Sequence, residues 1–340
     1  MIKKRVLFYS SVKDIELFQI QRFYSVDIAL LVNLGYEVSI TNHIGKFCLF
    51  WKYDIAFLYF YKWALLPAIL AKIFSKKVYF TGGIDQLEES ITSKIEFFSQ
   101  AILFKLCYIF SDICLVVSQS DLKNIKKIYN RKCLDKVYFS SHTINVDSFY
   151  VENVLSKKND FTTIAWMGSI ENVQRKGVDK SLILFEKLVQ RQEFSDSKFY
   201  IIGKQGEGSR YLSKLCTSLN ITDRVVFTGD IDEEVKIAIL RDSKYYFQLS
   251  TFEGFGIAAI EALAAKNIVI HSGKGGLKET IKNFGVKINI YADSVEDFVN
   301  ISNLIVSYRP DLLSKAHNHI LANYSNDARQ NDFMKIMLSK

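Results

Sequence analysis

Short apolar runs alternate with longer segments of helical periodicity along the first half of the chain. The apolar runs predict buried strands at 5–10, 36–41, 55–59, 78–81, 113–117 and 137–140. The segments between them predict helices at 19–34, 64–74, 87–110 and 118–129. Strands that alternate with helices are typical of a parallel sheet covered by helices, so this half predicts one α/β domain.

The same alternation begins again after a polar segment. Residues 151–160 (VENVLSKKND) lack hydrophobic periodicity and are interpreted as the linker between two domains. Further strands are predicted at 162–167, 199–202, 224–228, 245–249 and 268–271, and the tail from residue 311 onward has a helical pattern. The sequence therefore predicts two α/β domains in tandem.

Composition narrows the class of protein. The 340 residues are 49% hydrophobic and 14% aromatic, which excludes a disordered chain. Charged residues interrupt the most hydrophobic region, 47–74, so no membrane span is expected. The apolar run that follows the basic residues of the start, MIKKRVLFYSS, is only one strand long, so no signal peptide is expected. Five scattered cysteines without a C-x-x-C pair favour neither a zinc site nor a disulfide framework, and they fit a reducing cytoplasm. The net charge of +8 reflects either ordinary solubility or attraction to an anionic acceptor or membrane surface.

An aromatic-rich stretch at 47–61, followed by Trp63, stands out in the first half. Its rings are interpreted as core. Because Lys46, Lys52 and Lys62 lie among them, contact of part of the stretch with a membrane interface is the alternative.

The segment 250–261 (STFEGFGIAAIE) gives the clearest indication of chemistry. It places a glycine turn between a strand and an apolar helix, with Glu253 and Glu261 on either side. In a parallel sheet such a turn lies at the carboxyl end of the strand, where ligands bind. Free amides at a helix start suit a phosphate, and ionised carboxylates accept hydrogen bonds from hydroxyl groups. The segment therefore predicts a nucleotide-sugar site.

Six ordered motifs carry a family resemblance: WMGS at 166–169, RKGVDKSL at 175–182, FYIIGKQGEG at 199–208, RVVFTGDI at 224–231, EGFGIAAIEALAAKNIVI at 253–270 and HSGKGGLKETI at 271–281. With these motifs, the second half resembles the donor-binding domain of retaining glycosyltransferases of family 4, which have the GT-B fold. The resemblance covers about residues 140–285, and before the linker it is limited to INVDSF at 144–149.

The resemblance implies an α/β architecture of the GT-B type, with two Rossmann-like parallel-sheet domains facing a cleft. Residues 1–152 would bind the acceptor and residues 153–321 the nucleotide sugar. A tail helix over about 322–340 would pack back on the first domain. The resemblance also implies that the anomeric configuration is retained, that the donor is a UDP or GDP sugar, and that neither a metal nor a resident cofactor is used.

The cations expected to act on the diphosphate precede Gly177. The ammonium of Lys176 would neutralise the leaving diphosphate, and a solvated lysine at a helix end is the alternative. Many family members have an arginine where this chain has Ser169 after Gly168. Arg175 is therefore the candidate for the second cation, with a merely exposed arginine as the alternative.

The resemblance assigns Glu261 to the ribose hydroxyls and Glu253 to the transferred sugar or its developing positive charge. Surface charge is the alternative for both, and the neighbouring glycines argue against it because they let the backbone approach a ligand closely. Main-chain amides in the turn would bind phosphate oxygens. The remaining donor-binding positions are Gly168, Ser169, Gly254, Phe255, Gly256 and Ile257.

Other polar residues give less direct indications. Gly83 and Asp85 follow one strand of the first domain and His142 follows another, so they are candidates for the acceptor side, with a turn aspartate and a hinge residue as alternatives. Asp230 and Asp232 form an Asp-x-Asp that is interpreted as a helix N-cap, and no metal site is predicted.

The sequence thus predicts a cytoplasmic glycosyltransferase, with a location at the inner face of the membrane left open. Its expected partners are a nucleotide sugar and a glycan or lipid-linked acceptor of cell-surface polysaccharide or lipopolysaccharide assembly, without nucleic acid. Two other classes stay open. One is a nucleotide-sugar epimerase or hydrolase on the same fold, and the other is a non-catalytic sugar-nucleotide-binding component of a polysaccharide assembly complex.

Overall fold

The computed structural model describes residues 3–89, 92–129, 134–291 and 294–338, so Cys133 and the last two residues of the expected tail helix lie outside the described residues. The chain divides into two units. Unit 1 comprises Met1–Thr143 and Asn326–Lys340, and unit 2 comprises Ile144–Ser325. The chain therefore passes from one unit to the other before residue 151, where the sequence pattern places the linker.

Unit 1 is built on a parallel sheet with the strand order β2-β1-β3-β4-β5-β6. Its strands are β1 (Arg5–Tyr9), β2 (Glu37–Thr41), β3 (Ile55–Tyr59), β4 (Lys77–Thr81), β5 (Ile113–Val116) and β6 (Val137–Phe139). Each observed strand end lies within one residue of its sequence-based prediction. The strands are easy to locate because β1, β3, β4 and β5 are almost entirely buried and read as continuous apolar runs.

Two of the helices of unit 1 differ from the sequence pattern in their extent or continuity, and a third begins three residues earlier than predicted. The helices before the tail are α1 (Leu17–Ile20), α2 (Arg22–Asn33), α3 (Tyr61–Ile73), α4 (Lys94–Ile109) and α5 (Gln119–Ile128). The expected helix at 19–34 is divided because Gln21 has an extended backbone with ψ of 110°. The expected helix at 87–110 begins only at Lys94, because the Ser93 side chain accepts the Glu96 amide as an N-cap.

Most of the aromatic-rich stretch belongs to the core of unit 1, which fills both faces of its sheet. The rings of Phe47, Phe57 and Tyr59 are buried, whereas Trp51 and Trp63 are 63% and 57% exposed. The interpretation of 47–61 as core is thus correct for most of its rings.

Unit 2 contains a second parallel sheet, with the strand order β12-β11-β10-β7-β8-β9. Its strands are β7 (Lys158–Ile164), β8 (Phe199–Ile202), β9 (Val225–Gly229), β10 (Ser243–Gln248), β11 (Ile268–His271) and β12 (Val286–Lys287). The chain runs outward from β7 to β9 and then returns to pair β10 with the other side of β7. The strand order therefore reverses between β7 and β10, which is the position where open α/β sheets bind ligands.

The interpretation of residues 151–160 as a linker is wrong for its second half, because β7 begins there. The buried Lys157 ammonium donates to the carbonyls of Leu240 and Ser243 at 2.9 and 2.7 Å. The carboxylate of Asp160 accepts the Lys198 amide at 2.8 Å. These polar side chains are satisfied inside the fold, so a search for apolar periodicity misses the start of the strand.

Helices connect the strands of unit 2 and follow its last strand. They are α6 (Ile170–Lys176), α7 (Val178–Val189), α8 (Glu207–Ser218), α9 (Glu233–Asp242), α10 (Ile257–Ala264), α11 (Leu277–Thr280), α12 (Val295–Val306) and α13 (Asp311–Tyr324). No helix in the described ranges is long and apolar enough to cross a membrane.

The final helix, α14 (Asn326–Leu338), returns to unit 1. Its Arg329 is buried and forms a two-pronged ion pair with Asp27 of α2, with N–O distances of 2.7 and 2.9 Å. The same guanidinium donates to the carbonyls of Ser140 and Ser141 after β6, at 2.6 and 2.5 Å. Burial by itself would lower the pKa of Arg329, but attraction to the Asp27 carboxylate has the larger combined effect and raises that pKa, so the guanidinium stays charged.

Candidate active site

The carboxyl ends of β7 and β10 bring together the two segments of unit 2 that the sequence singles out. Gly168 and Ser169 follow β7 and open α6, whereas Glu253 and the glycine turn follow β10 and open α10. These strands are neighbours in the sheet at the point where the strand order reverses. The topology thus places the predicted donor-binding residues along one edge of the sheet.

The turn before α10 is shaped by Gly256, the N-cap of the helix, which has a left-handed φ of 93°. A Cβ atom at this position would lie 2.6 Å from Cδ2 of Leu277, so a larger residue would strain the backbone and also clash. The amides of Ile257 and Ala258 have no carbonyl acceptor within α10, as is usual at the start of an α-helix, whereas the Ala259 amide donates to the Gly256 carbonyl at 3.1 Å. The Ile257 and Ala258 amides are suited to an anionic ligand, as the sequence predicts.

A second glycine turn supports the first one. The amide of Gly276 donates to the carbonyl of Glu253 at 2.7 Å, and the Thr280 hydroxyl donates to the carbonyl of Phe255 at 3.2 Å. A Cβ atom on Gly275 would lie 2.2 Å from the Glu253 carbonyl oxygen. The segment HSGKGG is therefore needed for close backbone packing, which fixes the turn that carries Glu253.

The candidate cation Lys176 contacts the candidate carboxylate Glu253. Lys176 is the last residue of α6, and Gly177 both ends that helix and opens α7 with a φ of 67°. A Cβ atom on Gly177 would lie 2.0 Å from the Leu249 carbonyl oxygen, so only glycine allows the end of α6 to approach β10 this closely. The ammonium of Lys176 then lies 2.7 Å from Oε2 of Glu253.

Buried polar groups at the end of β10 and just after it hold the same carboxylate oxygen. Oε2 of Glu253 accepts from Nε2 of Gln248 and from the hydroxyl of Ser250, each at 3.3 Å. Gln248 also donates to Ser250 at 2.8 Å and accepts from the hydroxyl of Tyr246 at 3.1 Å. The side chains of Lys176, Gln248 and Ser250 thus all donate to Oε2, and no described residue donates to Oε1, which leaves that oxygen for a hydroxyl group.

Glu261 is not a surface residue, although it lies on α10 beyond the turn. It is only 5% exposed, and its two carboxylate oxygens lie 3.0 and 3.1 Å from the Lys236 ammonium of α9. Lys236 also pairs with Glu233 at 2.8 Å and lies 5.9 Å from the ring centroid of Phe149. The alternative of plain surface charge is therefore wrong for Glu261, because a buried carboxylate needs such a partner.

Ser169 and Arg175 both belong to α6. Ser169 is its N-cap, and its side chain accepts the Asn172 amide at 3.2 Å. The side-chain oxygen of Asn172 accepts from Nη2 of Arg175 at 2.9 Å, and the Arg175 carbonyl accepts the Thr251 amide at 2.8 Å. Arg175 is half-buried and one residue from Lys176, so the proposed second cation lies in the same helical turn.

Gly168 allows two loops at the edge of the sheet to meet. A Cβ atom on Gly168 would lie 2.0 Å from the indole of Trp166, and one on Gly206 would lie 2.8 Å from Cα of Gly168. The Gly168 carbonyl accepts the amide of Glu207, the first residue of α8, at 3.3 Å. The glycine segment after β8 thus serves loop packing here, and it does not form a dinucleotide fingerprint.

The acceptor-side candidates Gly83 and Asp85 lie in unit 1, after β4. Gly83 is left-handed, with φ of 78°, and caps a 3₁₀ helix over Ile84–Leu87 that contains Asp85. Burial, with the nearby Asp85 charge adding to it, raises the pKa of Tyr61. Burial likewise raises the pKa of Asp121 to about 7, although its carboxylate accepts the Val117 amide at 3.1 Å.

His142 lies near the end of the first segment of unit 1. Its ring centroid is 6.1 Å from that of Phe23. Burial and the Arg329 charge lower the pKa of His142 to about 3, so its imidazole is neutral at ordinary pH.

The Asp-x-Asp segment after β9 precedes α9. Asp232 occupies the N-cap position with an extended backbone, although its side chain makes no capping hydrogen bond. Within the described ranges, no group of three or more His, Cys, Asp or Glu side chains is arranged to hold a metal ion.

The two parallel six-stranded sheets with their helices have the GT-B fold, as similar solved structures show. The chain is similar to Anabaena Alr3699/HepE, solved in complex with UDP and glucose, with a TM-score of 0.75 and 15% identity, over 99% of this chain and 100% of that one. It is also similar to sucrose-phosphate synthase from Thermosynechococcus elongatus, with a TM-score of 0.77 and 15% identity over 99% of both chains.

The chain belongs to the family described as Glycosyl transferases group 1, whose family model matches residues 151–325. Among curated proteins, it is similar to the uncharacterized glycosyltransferases MJ1607 and MJ1069 of Methanocaldococcus jannaschii. It is 24% identical to MJ1607 over 219 residues, 64% of this chain and 54% of that protein. It is 24% identical to MJ1069 over 238 residues, 65% of this chain and 57% of that protein. The chain thus spans little more than half the length of these curated relatives.

Proposed function

We propose that this protein transfers a sugar from a nucleoside-diphosphate sugar to a glycan or lipid-linked acceptor, with retention of the anomeric configuration. The observation that carries the proposal is the 2.7 Å ion pair of Lys176 and Glu253 beside the turn that opens α10. Structures of the similar protein Alr3699/HepE are described as complexes with UDP and with UDP-glucose, which supports a uridine nucleotide as the donor over a guanosine one.

Lys176 and the first-turn amides of α10 would stabilise the departing diphosphate. An ammonium already fixed by Glu253 needs little reorganisation when negative charge develops on the phosphate oxygens. Arg175 would add a second, forked donor from the same turn of α6. The proposal assigns charge neutralisation to these residues, with no metal and no resident cofactor taking part.

The two glutamates would bind the sugar and the nucleoside. Oε1 of Glu253 would accept a hydroxyl of the transferred sugar, and the carboxylate charge would stabilise positive charge at the anomeric carbon. Glu261, held by Lys236, would accept the ribose hydroxyls, since an ionised carboxylate only accepts hydrogen bonds.

In the transfer, the bond between the anomeric carbon and the diphosphate oxygen breaks. The acceptor oxygen forms the new bond to that carbon on the same face. The proton of the acceptor hydroxyl passes to an oxygen of the departing diphosphate, which becomes the product nucleotide. The protein therefore needs no dedicated general base in this scheme.

We further place the protein in the cytoplasm at the inner face of a membrane, with unit 1 binding the acceptor. The scattered cysteines favour a reducing compartment, and a lipid-linked acceptor of cell-surface polysaccharide or lipopolysaccharide assembly would be presented at a membrane surface. Gly83, Asp85 and His142 remain the candidates for acceptor contacts.

The test combines ligand binding with product analysis. UDP is expected to raise the melting temperature more than GDP, ADP or CDP, because a ligand that binds only the folded state stabilises it. Nucleotide release from UDP-glucose and related donors is expected only with an acceptor pool present. An epimer or free sugar formed from the donor alone would make the protein an epimerase or hydrolase. Donor binding without turnover against any acceptor would make it a binding component.

A further inference from the structure

The outer faces of α3 and α4 in unit 1 are apolar where surface helices are normally polar. On α4, the exposed apolar residues recur at helical spacing: Ile95, Phe98, Ile102, Leu106 and Ile109. The opposite side of α4 packs into the core through residues such as Phe104 and Cys107. The helix therefore has two apolar faces, and the described residues cover only one of them.

Helix α3 repeats this arrangement. Trp63, Leu66 and Ile73 are 57%, 51% and 68% exposed, whereas Ala64 and Ala68 on the other side are buried. Because α3 and α4 pack against each other, their outer faces are adjacent. We call the exposed apolar residues of α3 and α4 the apolar face of unit 1.

The charges on these helices are almost all positive. Lys62, Lys94 and Lys105 are exposed on α3 and α4, and the only carboxylate in the sequence of the two helices is Glu96. Lys94 and Lys105 both lie at the same edge of the apolar stripe of α4, since they are eleven positions apart, close to three helical turns. The apolar face is thus bordered by ammonium groups.

We propose that the apolar face of unit 1 docks on an anionic lipid bilayer, with Ile95 and Phe98 entering the interface and the lysines contacting lipid phosphates. This extends the proposed membrane contact by naming its surface and the lipid charge that it requires. A bilayer surface provides apolar depth and negative charge over the length of α4, about 24 Å for 16 residues. Tryptophan at position 63 suits the boundary between headgroups and hydrocarbon.

A second copy of this chain fits the surface less well. A two-fold dimer would place the same patch on both sides of the interface. Such an interface would collect the lysines of both patches with only one carboxylate on each pair of helices, and an excess of like charge at an interface opposes association.

Vesicle flotation of the full chain tests the proposal. Wild type is expected to bind vesicles containing phosphatidylglycerol and to bind pure phosphatidylcholine at least tenfold more weakly. The Ile95→Ser/Phe98→Ser double variant is expected to need at least tenfold more anionic lipid for half-maximal binding. The matched control replaces two exposed apolar residues of unit 2, Leu155→Ser/Tyr291→Ser, and should bind like wild type.

A second double variant, Lys94→Ala/Lys105→Ala, should lose binding to anionic vesicles and the dependence of that binding on salt. Equal binding by wild type and Ile95→Ser/Phe98→Ser, or no binding of wild type to anionic vesicles, would overturn the proposal. A wild-type dimer in light scattering that becomes monomeric in this variant would instead identify a self-association surface. UDP should raise the melting temperature of every variant as much as that of wild type. This control distinguishes a failure of the membrane-docking proposal from a failure of the proposed function.

Discussion

Lys176 and Glu253 form a 2.7 Å ion pair at the edge of the second sheet, although 77 positions separate them in the chain. Their side chains are 22% and 14% exposed, so the pair is partly shielded from water. The left-handed Gly177 and the packed carbonyl of Leu249 make the contact possible. The ammonium is thus positioned before any donor binds.

Lys176→Ala should lower turnover by about 10²–10³-fold, the usual effect of removing one transition-state donor. The reason is that the departing diphosphate loses its fixed cation, while the fold keeps its core. Initial rates at saturating donor measure the effect, and Lys187→Ala, an exposed lysine on α7, is the control. A Lys176→Ala enzyme with near-normal turnover would remove this residue from the mechanism.

Gln248→Leu should lower kcat by about tenfold while leaving the affinity for free UDP unchanged. Gln248 donates to Oε2 of Glu253, so its loss loosens the carboxylate that is proposed to bind the sugar rather than the nucleotide. Stability should fall by about 1–3 kcal/mol, because the buried Tyr246 hydroxyl loses its acceptor.

The double variant Tyr246→Phe/Gln248→Leu separates these two effects. It removes the hydroxyl that loses its Gln248 acceptor, so the free energy of unfolding should return part of the way to the wild-type value while kcat stays low. Recovery of both quantities together would mean that Gln248 acts only through packing.

Glu261→Gln should raise the KM for the donor at least tenfold, equivalent to about 1.4 kcal/mol of binding, with a smaller change in kcat. The amide removes the charge that would accept the ribose hydroxyls, whereas Lys236 keeps Glu233 as a partner. Glu233→Gln, at a more exposed carboxylate, is the matched control. Initial rates at varied donor concentration measure KM and kcat. An unchanged KM for the donor would contradict the assignment of Glu261 to the ribose hydroxyls.

Arg329→Met should destabilise unit 1 by about 3–5 kcal/mol, because Asp27 would remain as a buried charge without its ion-pair partner. Hydrogen exchange followed by mass spectrometry should show lost protection in unit 1 and normal protection in unit 2. Adding Asp27→Leu removes the buried charge and should restore part of the stability. Equal loss of protection in both units would contradict this assignment.

Asp121→Asn should change how stability depends on pH. The folded-state pKa of Asp121 is about 7, above its ordinary value of 3.8, because burial disfavours the charge. Between these two pKa values the folded protein keeps a proton that the unfolded chain has lost. The contribution of Asp121 to the free energy of unfolding is therefore full at low pH and is lost as the pH rises to about 7.

The stability of Asp121→Asn relative to wild type should therefore rise between pH 4 and pH 7, by at most about 4 kcal/mol, and level off above. Urea unfolding of both proteins across this pH range measures the difference in their free energies of unfolding. Groups that titrate in the same way in both proteins cancel from this difference. A difference that is constant with pH would show that Asp121 titrates normally.

Much of the fold follows from the sequence because the strands of parallel sheets are buried on both faces. The strands β3 and β11 begin and end where their apolar runs do. The start of β7 could not be found in this way, because Lys157 and Asp160 satisfy their polar groups by hydrogen bonds that only the tertiary structure supplies.

The candidate site also has one part that the sequence shows and another that only the tertiary structure shows. The glycine turn and the two glutamates are visible in the sequence because their spacing is local. The pairing of Lys176 with Glu253, and that of Lys236 with Glu261, depend on which helix ends meet across the sheet. No pattern around Lys236 or Gln248 marks them as partners of the glutamates, since each interaction is made by a single side chain in an ordinary helix or strand.

The return of α14 to unit 1 also has a consequence for biosynthesis. Domains generally fold from the N-terminus as the chain is made. Here the uninterrupted unit 2 is translated in full before Arg329 leaves the ribosome, and until then the nascent first unit carries Asp27 without its counter-ion. Unit 1, whose synthesis begins first, is therefore completed after unit 2. A premature stop after residue 325 would leave unit 2 intact and unit 1 open to proteolysis.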